Sequence, residues 1–199
     1  MAHPSIAIII LAAGKSGRMG LPKQLLPIKG KSLLQRTIDQ AGASKASDVC
    51  IVLGAEAAEI QKKIREGSFR IVMNHHWTEG MSSSIRAGIS ALPESIEAAI
   101  ISLCDQPFLS SQIFDVLIDT FATSHKSIVT CEFDGSVGPP VLFSRIHFPQ
   151  LSSLEGDAGA KRIVLQHEED VARVPFPLGS VDLDTAEDYK KFIRKDLKM

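Results

Sequence analysis

Apolar residues fall along this chain in two alternating rhythms. Short runs such as SIAIIILA, residues 5–12, are apolar almost throughout. A strand buried on both faces requires that pattern, and it is typical of parallel sheets. Between such runs lie longer stretches whose apolar residues recur every three or four positions, as in KSLLQRTIDQAGA, residues 31–43. That spacing predicts amphipathic helices. The rhythm predicts strands over 5–12, 48–54, 69–74, 98–107, 126–133, 139–145 and 170–176. Helices are predicted over 31–43, 55–67 with Gly67 as its stop, 80–92, 109–124 behind a capping serine, 155–167 after its glycines, and 185–197.

Strand and helix alternate through the first two-thirds of the chain. Right-handed crossovers then build a mostly parallel sheet with helices on both faces, an α/β fold. In such sheets ligands bind beyond the carboxyl ends of the strands, near the point where strand order reverses. The strand-to-helix joints at 11–23, 74–84 and 104–107 carry the most chemistry. There is no internal repeat, low-complexity tract or Pro/Ser-rich linker, so residues 1–199 read as a single domain.

Composition narrows the classes. The 199 residues are 44% hydrophobic and 23% charged, with a net charge of −1. That balance suits one globular domain with a sizeable core. It gives no global basic field for nucleic acid or a membrane surface, so any anion site must be local. Cys50, Cys104 and Cys131 are odd in number and form no CxxC, which argues against a disulfide framework or a structural zinc. They read as small apolar residues of a reduced, cytoplasmic protein. No apolar run reaches membrane-spanning length, and the N-terminal run lacks a basic leader.

The first joint, LAAGKSGRMGLPKQLLP from Leu11 to Pro27, is rich in glycine and positive charge. A Walker A loop would need glycine where Ile9 precedes Gly14-Lys15, or where Leu25 precedes Gly30-Lys31. A GxGxxG dinucleotide loop fails because Ser16 stands where the second glycine belongs. Small residues still let backbone N–H groups approach an anion closely, and Arg18 and Lys23 add full charges. Taken alone, the segment could equally be a tight turn with solvated basic side chains. The second joint, NHHWTEGMSSSIRAGI, offers Gly80 and three serines at a helix start, more than N-capping needs. In the third, ISLCDQPFL, Asp105 ends an apolar strand. A carboxylate beside a phosphate loop repels the substrate unless a hard cation such as Mg²⁺ intervenes. The alternative is that Asp105 caps the helix beginning near Phe108.

The extended pattern LAAG-x-S-x-RMG-x-PK-x-LLP resembles the signature loop of the MobA-like nucleotidyltransferases, whose Rossmann-like fold is shared with sugar-phosphate nucleotidyltransferases. The resemblance spans roughly residues 5–190 and is nearest to the molybdenum cofactor cytidylyltransferase (MocA-type) branch. It implies that Leu11, Ala12, Ala13 and Gly14 wrap the triphosphate, with Arg18 and Lys23 as its cations and Lys23, Arg18 and Asp105 as the catalytic set. It implies that Gly80, Ser83 and Ser84 touch base and ribose. The D-Q-P segment resembles that branch's metal-binding aspartate motif, which makes Asp105 one Mg²⁺ ligand. VDLDTAEDY resembles the segment carrying the second, Asp184, with Asp182 as a nearby competitor. Ala186 replaces the family's usual proline at the start of the helix opened by Thr185.

GSVGPPVLF and LEGDAGAKRIV are, taken alone, a bend and a capped helix. Together they resemble the motifs of molybdopterin cytidylyltransferases, which places Asp157 on the second substrate; Pro139 stands where His or Asn is usual. The implied activity is transfer of CMP from CTP to the phosphate of molybdopterin or molybdenum cofactor, with release of pyrophosphate. The implied partners are those substrates and a molybdoenzyme or its chaperone, with no nucleic acid and no membrane. Ala13, where guanylyltransferase relatives carry glycine, leans towards CTP by crowding a purine. The same chemistry with GTP, or with a sugar or alcohol phosphate, and a non-catalytic nucleotide- or cofactor-binding module are the other readings.

Overall fold

The computed structural model describes residues 4–17, 19–157 and 159–196. The chain runs from β1 (Ile6–Leu11) through a short hairpin, β2 (Pro27–Ile28) and β3 (Lys31–Ser32), into α1 (Leu33–Gly42). Next come β4 (Asp48–Leu53), α2 (Ala57–Gln61), β5 (Arg70–Met73), α3 (Met81–Ser90), β6 (Ala98–Leu103) and α4 (Ser111–Ser124). The last third holds β7 (Ile128–Phe133), β8 (Ser136–Ser144), α5 (Phe148–Ser152), α6 (Lys161–Gln166), β9 (Val171–Pro175) and α7 (Ala186–Asp196).

Seven strands form the central sheet in the order β5-β4-β1-β6-β8-β7-β9. Only β8 runs against its neighbours β6 and β7; the other pairings are parallel. The expected mostly parallel α/β sheet is therefore what forms. β1 has no exposed face. Ile6, Ile8 and Ile10 pack with Leu34, Ile38, Phe114 and Leu117 of α1 and α4. Ala7, Ile9 and Leu11 pack on the other side with Ile85 and Ile89 of α3 and with residues of α5 and α6. Each isoleucine so buried stabilises the fold by about 1.5–3 kcal/mol. After β1 the chain moves outward through β4 and β5, then returns to place β6 on the other side of β1. That reversal brings the ends of β1 and β6 together, so the loop after Leu11 and Asp105 become neighbours.

Several element boundaries differ from the sequence expectation. The helix expected over 55–67 is only the five residues of α2, begun at Glu56 with a left-handed φ of 54°. Beyond it Lys62, Lys63 and Arg65–Ser68 are all exposed, so no continuous apolar stripe holds a longer helix to the sheet. The strand expected at 98–107 stops at Leu103. The helix expected from 155 begins only at Lys161. Ser110 holds the N-cap position of α4 but makes no side-chain capping bond. The bend expected to open a strand at 139 is a hairpin turn further back. Asp134 and Gly135, at φ 49° and 70°, join Phe133 to its partner Ser136, a turn in which both central residues need positive φ. α7 starts cleanly without the usual proline. Asp188 N–H donates to Thr185 Oγ1 at 3.2 Å and Thr185 N–H to Asp188 Oδ2 at 3.0 Å, a reciprocal capping arrangement.

No helix among the described residues is long and apolar enough to cross a membrane. All three cysteines are buried and free, as expected.

Candidate functional site

The joints after β1, β5 and β6 meet at one cleft of 410 Å³. Leu11, Ala12, Ala13, Gly14, Lys15 and Lys23 line it from the first joint, Trp77, Gly80, Met81 and Ser84 from the second, and Cys104 and Asp105 from the third, with Asp157 closing one side. Residues far apart in sequence thus share a wall because strands fix their exits.

The first loop is held by its own side chains. Gln24, 1% exposed, donates from Nε2 to the carbonyls of Ala12 at 2.9 Å and Gly14 at 2.8 Å. Ser16, at φ 57°, donates to Gln24 Oε1 at 3.3 Å and accepts from the Lys23 N–H at 3.1 Å. Two of the loop's backbone groups are already engaged: Ala12 N–H donates to Val52 C=O and Ala13 C=O accepts from Ala55 N–H, both at 2.9 Å. Ala12 therefore borders the cleft without offering its N–H to an anion. Ala13 is 3% exposed and its methyl packs against Gly54. Ala13 also lines the cleft. Arg18 lies outside the described residues. Gln24→Ala frees the two carbonyls and loosens the loop; nucleotide affinity is expected to fall about tenfold by calorimetry, the worth of one or two hydrogen bonds to a preorganised loop.

At the second joint Gly80 has φ 96° and ψ −175°, a backbone state essentially reserved for glycine. A Cβ there would lie 2.6 Å from Gly156 C=O and closer still to Asp157 Oδ1. Gly80 is thus the point where residues 156–157 dock. Ser82 N–H and hydroxyl both donate to Gly156 C=O, at 3.2 and 2.6 Å. Asn74 Nδ2 donates to the hydroxyls of Ser83 at 2.9 Å and Ser84 at 3.0 Å, and Ser83 donates to Gly80 C=O at 2.8 Å. Ser84 borders the cleft, whereas Ser83 ties the helix start to Asn74 and Gly80.

Asp105 is 7% exposed, and Leu183 N–H donates to its backbone carbonyl at 3.0 Å. That bond draws the segment carrying Asp184 onto the end of β6. α7 is seated by Leu183 and Phe192 against Leu26, Ile28 and Leu33, and by Tyr189 donating to Pro27 C=O at 2.6 Å. Lys23 Nζ consequently lies 2.5 Å from Asp105 Oδ2 and 2.9 Å from Asp184 Oδ1. Burial opposes the lysine's charge, but the charge and hydrogen bond of Asp105, with that of Asp184, hold its pKa well above the usual range. Asp105 does not cap a helix. Its Oδ1 is buried with no hydrogen-bond partner among the described residues. Asp182 stands at the rim, where crowding by protein atoms and then the charges of Asp105 and Asp184 push it up to about 6. Lys23 hydrogen-bonds Asp184 as well as Asp105.

An unpartnered buried carboxylate oxygen beside a second carboxylate fits a divalent ion. Among the described residues no group of three His, Cys, Asp or Glu side chains could hold one unaided. Mg²⁺ suits such a sparse donor set, because it keeps waters and draws on substrate phosphates. Cys104 borders the cleft, but burial pushes its thiol up to about 12, so it is no nucleophile.

A second cavity, 220 Å³, shares Met81, Leu103 and Asp157 with the first. Its walls are mainly Ile85, Ile101, Val137, Val141 and Val164, with Lys161 at its edge donating to Ser136 Oγ at 2.7 Å. Gln106, beside Asp105, donates to Pro139 C=O at 3.1 Å and Gly179 C=O at 2.8 Å, joining the end of β6 to this wall. Gln24, Asn74, Trp77 and Gln106 were not singled out in the sequence. Their one signal is a polar or aromatic residue inside or beside an apolar run that ends at a joint.

Comparison with known proteins agrees with this geometry. The profile of the MobA-like NTP transferase domain matches residues 8–171. The chain is 30% identical to the purine catabolism protein PucB of Bacillus subtilis, over 95% of this chain and 96% of that one. It is 30% identical to nicotine blue oxidoreductase of Paenarthrobacter nicotinovorans, over 82% and 83%, and 23% identical to the molybdenum cofactor cytidylyltransferase of Escherichia coli, over 93% and 94%. Among solved structures, the Rv0371c homologue from Mycobacterium sp. strain JC1 superposes with a TM-score of 0.86 at 28% identity, covering 97% of each chain. Rv0371c of Mycobacterium tuberculosis, in complex with manganese, gives 0.82 at 26% identity, covering 96% of this chain and 98% of that one.

Proposed function

We propose, because the chain belongs to the MobA-like NTP transferase family, that it is a metal-dependent nucleotidyltransferase that moves CMP from CTP to the phosphate of molybdopterin or a molybdenum cofactor form. The observation that carries the reading is Lys23 set between Asp105 and Asp184 at the floor of a cleft whose rim is the Leu11–Gly14 loop. In the reaction an acceptor phosphate oxygen attacks the α-phosphorus and the bond to pyrophosphate breaks. Both partners are anions, so the protein's task is positioning and charge neutralisation rather than covalent catalysis.

The loop and Lys15 receive the triphosphate, and Lys23 neutralises charge on its oxygens. Trp77 and Ser84 border the space left for base and ribose. Asp105 and Asp184 would hold Mg²⁺, which when bound supplies Lewis-acid neutralisation of phosphate charge. The second cavity, entered past Asp157 and flanked by Lys161, takes the acceptor. The preference for CTP rests on Ala13 in the cleft wall and on the likeness to the E. coli cytidylyltransferase. The hydrocarbon wall of the second cavity favours one other reading, the same transfer to an alcohol phosphate with an apolar body.

The test is pyrophosphate release with each of CTP, GTP, ATP and UTP, with molybdenum cofactor as acceptor, in Mg²⁺ and after chelation by EDTA. Release with CTP that EDTA abolishes is expected. Release with GTP instead would keep the chemistry and change the base. Release with an alcohol phosphate alone would change the acceptor. Tight nucleotide binding without release in any mixture would make the chain a binding module.

A further inference from the structure

Lys23 and a divalent cation would draw on the same two carboxylates. The ammonium hydrogen-bonds one oxygen each of Asp105 and Asp184. A metal bridging those two carboxylates would stand beside a like charge in a largely buried site, where such repulsion is weakly screened. The pair as it stands is also incomplete, since Asp105 Oδ1 is buried and no donor among the described residues reaches it. A metal ligated by Asp105 could use that oxygen; Lys23 does not.

We propose that Lys23 is a built-in competitor for the metal site, displaced when the triphosphate offers its ammonium other oxygens, so that metal and nucleotide bind cooperatively. The inference rests on the metal-dependent reading above and adds a second station for the lysine. Its local setting suits two stations. The backbone is fixed, with the Lys23 N–H on Ser16 Oγ and the Lys23 carbonyl accepting from Leu26 N–H at 3.1 Å. Its head sits on a flexible four-carbon stem at the boundary of the nucleotide cleft. Rotation of the stem alone carries the charge from the carboxylates towards the triphosphate. By linkage, whatever draws Lys23 away tightens metal binding, and metal tightens nucleotide binding by the same factor.

The experiment is a Mn²⁺ titration without nucleotide, counting free Mn²⁺ by electron paramagnetic resonance, on the full chain and on Lys23→Met and Lys23→Arg. Lys23→Met keeps length and volume and removes the charge. It is expected to bind Mn²⁺ at least about tenfold more tightly than wild type, since a like charge has been removed from a poorly screened site. Lys23→Arg is expected to stay as weak as wild type. Circular dichroism melts establish that each variant is folded. Adding Asp105→Asn to Lys23→Met is expected to lose the gained affinity. A folded Lys23→Met no tighter than wild type, or a gain that survives Asp105→Asn, would overturn the proposal. If wild type releases pyrophosphate while Lys23→Met gains no affinity, the competitor role falls and the transferase reading stands. If Lys23→Met gains affinity but wild type turns over no nucleotide, the competitor role stands and the transferase reading falls.

Discussion

Asp105→Asn is expected to lower kcat/KM for pyrophosphate release by about a thousandfold, the scale of losing one preorganised charge at a transferring phosphoryl group. The side chain keeps its size, so packing at the end of β6 is preserved. The charge that holds Lys23 is lost, and with it the negative charge on an oxygen that no donor among the described residues satisfies. These losses act on stability in opposite directions. Neutralising a buried, half-satisfied carboxylate relieves its desolvation, while breaking its pair with Lys23 leaves an ammonium less compensated. The melting temperature is therefore expected to move by only a few degrees. Steady-state kinetics and a thermal melt check the two halves separately. Activity within tenfold of wild type would remove Asp105 from the machinery, and an unfolded variant would make it a structural residue.

Gly80→Ala is expected to produce the second large effect, through the backbone. The new methyl would enter a conformation that only glycine adopts comfortably, a strain of about 1–3 kcal/mol. It would also push into Gly156 and Asp157. The docking bonds from Ser82 to Gly156 C=O cannot survive in place. The displaced segment carries Asp157, which borders both cavities. Misplacement by about 1 Å at such a boundary costs on the order of a hundredfold in turnover. The expected signature is a raised KM for the acceptor with a smaller change for the nucleotide, accompanied by a lower melting temperature. Equal rises for both substrates would mean that Gly80 serves the nucleotide side instead.

How far the site was legible differs from residue to residue. Lys23 and Asp105 stood out in the chain because each sits at a joint beside an apolar run, Asp184 only through the resemblance of VDLDTAEDY to a family segment, and the three meet at one point in the fold. Gly80 stood out as a glycine before a helix, but its reason, the close approach of Gly156 and Asp157, depends on a segment remote in sequence. Ser83 looked equivalent to its neighbours; only the fold directs its hydroxyl to Asn74 and Gly80. Gln24 was an unremarked position within the loop motif, yet it holds two carbonyls of that loop. Side-chain type announces charge and flexibility. It does not announce which backbone groups will be left needing a partner.

The expected helix over 55–67 shows the same boundary. Its local propensity was sufficient, but most of the residues past Gln61 face solvent, and helices in proteins are held mainly by burying one face. By contrast, β1 was certain from its sequence, since Ile6–Leu11 leaves no polar position that could face water. The same held for the alternation that makes the sheet mostly parallel and places chemistry at strand ends. What the sequence by itself determined, then, is the α/β order, the doubly buried central strand and the charged joints, because these follow from periodicity and residue type. The tertiary structure decided which joints converge, that Asp184 rather than Asp182 hydrogen-bonds Lys23, that the Ala13 methyl lies against Gly54, and that a second cavity adjoins the first. Each of those depends on distances across the end of the sheet, which strand order fixes and local pattern does not.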